Sequence, residues 1–164
     1  MNQQIIKTYI QSYKDQFGNI SKQEIYKWRA VKQFQDHWNV DATNFHEMLT
    51  EALSQTFNLL DSGLYYPKAM LLETAEASPE EVRTLFKTLY NEEEDLFFRI
   101  VAFRAEMKQL IAANFDVKND YQDDRAIMVY LVLQYPDRYF FYKFGMFKGF
   151  SLKTDYIYKP IKGR

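Results

Sequence analysis

Ten aromatic side chains fall in the 24 residues from Tyr135 to Tyr158. They are interleaved with Arg138, Lys143, Lys148 and Lys153, and Lys159, Lys162 and Arg164 follow. Cations of this kind neutralise phosphates and release counterions, while aromatic faces stack on exposed or flipped bases. The pattern points to nucleic-acid contact. Arg125, Arg138, Lys143, Lys148 and Lys153 are read as phosphate partners, with Tyr139 or Tyr142 near a base. A plainer role stays open for each residue, because aromatics mostly close a core and lysines keep its surface in water. Lys143, Lys148 and Lys153 recur every five residues, which is neither a helical nor a strand period, so their spacing does not place them on one face.

Other chemistries find little to stand on. His37 and His46 are nine apart, no short helical ligand spacing, and the chain has no cysteine for a thiolate site or nucleophile. Asp120, Asp123 and Asp124 carry hard oxygen ligands, but the glycine and closing glutamate of an EF-hand loop are missing. These acids read as caps of a helix beginning near Arg125. The carboxylates of residues 73–95 read as solvated helix faces and dipole partners. There is no Gly-x-Ser-x-Gly elbow and no Gly-x-x-x-x-Gly-Lys-Ser/Thr phosphate loop, and Gly145 and Gly149 alone make no cradle. The chain is therefore read as non-catalytic, without a metal or cofactor.

The elements that must position the aromatic end are helical. Ile5, Ile6, Tyr9, Ile10, Tyr13 and Phe17 form one apolar face, which Gly18 and Asn19 are expected to end. Ser21 to Glu24 reads as a capping box opening a second helix through Ile25, Trp28, Val31, Phe34 and Trp38. A third, capped within Asp41 to Thr43, carries Phe45, Leu49, Leu53 and Phe57. Ser78 to Glu81 is a second capping box, and Asn91 is placed as the cap of an acidic first turn before Leu96, Ile100, Phe103 and Met107. Ala126 to Leu133 is apolar on all sides, a buried helix or a buried strand. The reading is mainly α: one compact domain over 1–158 of seven or eight helices, with a short hairpin near 139–150 as an option. Residues 159–164 are taken as the start of a linker or tail.

Composition agrees with this class. The 164 residues hold only 5 glycines and 4 prolines, too few turn formers for a sandwich or barrel. No apolar run approaches the roughly 18 residues a membrane span needs, and no secretion signal is visible, so a cytoplasmic protein without membrane contact is expected. The net charge of −1 hides a dipolar chain: residues 41–124 carry 7 basic and 17 acidic side chains, whereas residues 138–164 carry 7 and 1. An anionic partner would meet the C-terminal end.

Three segments resemble a known family: Glu24-Ile-Tyr-Lys-Trp-Arg-Ala-Val-Lys-Gln-Phe-Gln-Asp-His-Trp, Asn58-Leu-Leu-Asp-Ser-Gly-Leu-Tyr-Tyr-Pro, and Tyr121-Gln-Asp-Asp-Arg-Ala-Ile-Met-Val-Tyr-Leu-Val-Leu-Gln-Tyr-Pro-Asp-Arg-Tyr. They look like the region preceding the motor in McrB-like, methylcytosine-specific restriction AAA+ proteins of bacterial defence, over about residues 20–158. The resemblance implies a module that recognises DNA, with modified cytosine in a duplex as one target. It also implies a GTP- or ATP-driven motor domain and a nuclease subunit as partners. The nucleotide site itself does not carry over, because no Walker motif is present. The rival reading is an interaction or structural adaptor whose aromatic end docks on a neighbouring motor domain or subunit.

Overall fold

Gly18 does not end the first helix. In the computed structural model, which describes residues 1–158, α1 runs unbroken from Gln3 to His37, 35 residues. Glycine costs a helix interior only about 1 kcal/mol against alanine, which the cooperativity of a long helix absorbs. Ser21 is not a cap: its Oγ donates back to the Gly18 carbonyl at 3.4 Å inside the helix. No atom lies within 4 Å of where a Gly18 side chain would begin. Gly18→Ala should therefore raise the unfolding free energy by about 0.5–1 kcal/mol in urea denaturation. A loss of stability would mean that the glycine is needed at that point of α1.

The third expected helix is also redrawn. α2 spans Phe45–Ala52 and is opened by Asn44, not by Asp41 to Thr43. The Asn44 side chain accepts from the Glu47 amide at 3.1 Å and donates to the Glu47 carboxylate at 3.0 Å, which closes the first turn from both directions. The helix stops before Phe57, which sits exposed at positive φ in a single 3₁₀ turn, Phe57–Leu59. Beyond it lie α3 (Pro67–Ala77), α4 (Pro79–Leu89), α5 (Leu96–Asn114), α6 (Asp124–Gln134) and α7 (Phe144–Lys153). Seven α-helices among the described residues thus make the fold mainly α. Among the described residues the single isolated bridge is Ser62 with Tyr65, and residues 139–150 form no hairpin. Chain 139–143 runs extended without a paired strand and then enters α7.

Two further caps differ from expectation. Ser78 makes no side-chain cap bond at α4, and its Oγ instead accepts from Asn114 Nδ2 at 3.2 Å. Residues 91–94 form turns, so the N-cap of α5 is Asp95, which accepts from the Phe97 amide at 2.9 Å. Asp123 caps α6 as the sequence predicts, accepting from the Ala126 amide at 3.1 Å.

The described chain packs as two compact units, Met1–Ile25 with the chain from Tyr142 onward, and Tyr26–Phe141. In the larger unit, α6 is the central helix, with Ala126, Ile127, Val129 and Tyr130 to Leu133 buried. A helix satisfies its own backbone there, whereas a lone buried strand would leave its amides without partners. Around α6 lies a cluster of rings: Phe86 sits 5.2–5.5 Å, centroid to centroid, from Trp38, Tyr90, Phe103 and Tyr130. Arg83 of α4 ties in the α1–α2 loop by donating to the carbonyls of Val40 and Ala42 while stacking on Phe45. In the smaller unit, the Asn2 amide donates to the Thr154 carbonyl at 2.6 Å and Lys153 lies over Tyr9. No helix of the described residues is long and apolar enough to cross a membrane.

Candidate nucleic-acid interface

The seven residues singled out from sequence separate into two groups, one per unit. Arg125, Arg138 and Tyr139 belong to the larger unit; Tyr142, Lys143, Lys148 and Lys153 belong to the smaller.

Arg138 and Tyr139 are already engaged, and their partner is Glu92. The Tyr139 hydroxyl donates to Glu92 Oε1 at 2.7 Å and accepts from Arg99 Nη2 at 2.8 Å. Arg138 pairs with the other carboxylate oxygen of Glu92. Arg99, buried on α5, donates both to Glu92 Oε1 and to the Leu89 carbonyl at 2.7 Å. Burial alone would raise the Glu92 pKa. The hydrogen bonds from Tyr139 and Arg99, with the charges of Arg99 and Arg138, outweigh it and hold the carboxyl below its usual range. The Tyr139 phenol moves the other way, raised by burial and then by its bond to Glu92. A phosphate approaching Arg138 would have to compete with a carboxylate that is stably ionised at neutral pH.

Arg125 is half-buried, with its guanidinium 4.6 Å from the Tyr65 ring centroid and a 3.4 Å bond to the Asn58 carbonyl. The Tyr65 hydroxyl in turn donates to Asp123, and burial with that bond raises its pKa well above the phenol range. These contacts fix the start of α6. Asp124 pairs with Arg104. Among the described residues no three histidine or carboxylate side chains are grouped to hold a metal ion.

The smaller unit is arranged differently. Tyr142 is half-buried against Phe147, whereas Lys143, Lys148 and Lys153 are exposed. Lys143 precedes α7 in extended backbone, and Lys148 and Lys153, five residues apart, leave the helix about 140° from each other. Together with Lys7, Lys14 and Lys22 of α1, none of them takes part in an ion pair among the described residues. In the larger unit, by contrast, seven of the twelve cations, Lys32, Lys68, Lys87, Arg83, Arg99, Arg104 and Arg138, meet a carboxylate. Lys159, Lys162 and Arg164, and the expected linker at 159–164, lie outside the described residues.

Sequence reasoning passed over Glu92, Arg99 and the α1 lysines. Arg99 left a signal: it falls three residues after Leu96 and four before Phe103, on the apolar stripe of α5. An arginine on a core stripe requires a buried acceptor. Comparison with family models, with curated proteins and with solved structures gives no match.

Proposed function

We propose that the chain is a non-catalytic DNA-recognition module of a McrB-like restriction system, and that DNA meets the smaller unit. The observation that carries this reading is the distribution of charge between the two units. Residues 1–25 and 142–164 together hold nine basic and three acidic side chains; residues 26–141 hold twelve and nineteen. The larger unit's excess of acid repels a polyanion, while the lysines of the smaller unit are exposed and unpaired among the described residues. Exposed Tyr156 and Tyr158 beside them offer faces for stacking. Modified cytosine is the base to be read, since the resemblance implies it.

Fluorescence anisotropy of labelled duplexes, with and without modified cytosine, at low and moderate salt tests this directly. Lys143→Ala/Lys148→Ala should weaken binding roughly tenfold across all sequences and flatten the salt slope by up to about 2. Arg125→Ala should change affinity far less, because that guanidinium is stacked on Tyr65. Unchanged affinity in the lysine pair would remove Lys143 and Lys148 from the interface.

A second reading draws on a separate observation. Met146, Leu152 and Ile157 are 70%, 66% and 91% exposed in the same unit, which suits an adaptor docking on a motor domain or subunit. A chain that binds no duplex even at low salt would favour it.

A further inference from the structure

α4 and α5 pack side by side and leave a groove between them on their outer faces. Two hollows meet at Thr84, which lines both: one is lined by Glu81, Leu85, Glu106 and Leu110, the other by Lys87, Thr88, Glu94, Phe98 and Ala102. The floor is shaped for a helix, with small Thr84, Thr88 and Ala102 along its length and Phe98, 67% exposed, at one end. Its length is that of α4, 11 residues or about 16 Å. Glu81, Glu94 and Glu106 stand on its rims with no ion pair among the described residues.

The chain also carries a matching ligand. On α1, Ile10, Tyr13 and Phe17 follow Ile6 at spacings of four, three and four, the repeat by which one helix packs on others. They are 50%, 49% and 51% exposed. The four residues rise over the same three turns as the groove, and Lys7 and Lys14 border the stripe on one side. We propose that the α1 stripe of a second copy occupies the α4–α5 groove, apolar face on Phe98 and the small-residue floor, lysines towards the rim carboxylates. Helix-in-groove docking of this sort takes its affinity from the apolar anchors and its orientation from the charges. The contact is heterologous, so each copy keeps one half free and association continues until a ring closes or a filament grows.

The test is sedimentation velocity on the full chain over a concentration series, without nucleic acid, so that its failure is separate from any failure to bind DNA. The expected result is concentration-dependent association that weakens as salt rises. Phe98→Glu and, separately, Lys7→Glu/Lys14→Glu should each raise the dissociation constant at least tenfold while circular dichroism shows unchanged helicity. Mixing these two variants should give a dimer that grows no further, since one retains an intact α1 and the other an intact groove. A chain that stays monomeric throughout would overturn the proposal. So would association unaffected by Phe98→Glu, or a mixture in which no dimer forms.

Discussion

Replacing Phe86 by alanine should destabilise the chain by about 4 kcal/mol, the largest loss expected from any single truncation in the core. Phe86 is fully buried on α4, and rings from three other parts of the larger unit close on it: Trp38, Phe103 of α5 and Tyr130 of α6. The contacts are mostly edge-on, with interplanar angles of 62–69° to these three, the arrangement that adds to simple area burial. Alanine would leave a ring-sized void whose walls belong to separate helices, so the space cannot collapse without moving one of them. The midpoint of thermal unfolding should fall by roughly 12 °C, at about 3 °C per kcal/mol for a chain of this size. Phe86→Leu keeps much of the volume and should cost about 1.5 kcal/mol, which separates ring geometry from void. A loss under about 1 kcal/mol for the alanine variant would show that Trp38 and Tyr130 refill the site.

How much of this was legible depends on whether a signal is local. The stripes of α4 and α5 read directly, because their apolar residues recur at helical spacing and are the residues found buried: Val82, Leu85, Phe86 and Leu89, then Phe103 and Met107. Ala126 to Leu133 was ambiguous for a physical reason. A segment buried on all sides has no amphipathic period, and only the absence of a paired strand beside it decides for a helix. Gly18 misled because a breaker's local cost is small beside the cooperativity of a long helix. Ser78 misled because a capping motif competes with tertiary partners, here the Asn114 amide. In the candidate site the exposed lysines were legible as charges, but the placing of Lys143 before α7 and of Lys148 and Lys153 on it needed the bounds of the helix. The engagement of Arg138 and Tyr139 by Glu92, 46 and 47 positions earlier, lies beyond any spacing rule.

That engagement sets the second large effect. Arg99→Met should cost about 3 kcal/mol, although methionine suits a helix and a core. The variant strips the Leu89 carbonyl, at the end of α4, of its 2.7 Å donor, and takes from Glu92 a charge-assisted bond of equal length. Glu92 keeps Arg138 and Tyr139, so the loss falls at the lower end of that for a broken buried pair. Removing both charges in Arg99→Met/Glu92→Gln should cost less than the sum of the single changes, a coupling that a double-mutant cycle reads. The pH dependence follows from the sign of the Glu92 shift. Its folded carboxyl titrates below the ordinary value near 4.5, so its contribution is present above that value and is lost as pH falls through the lower folded one. The gap in stability between wild type and Arg99→Met should therefore be full at neutral pH and narrow as pH falls below the ordinary value near 4.5 towards the lower folded one. A gap that stayed constant across that window would mean that Arg99 acts through the Leu89 carbonyl and packing alone, with no share in holding Glu92 ionised.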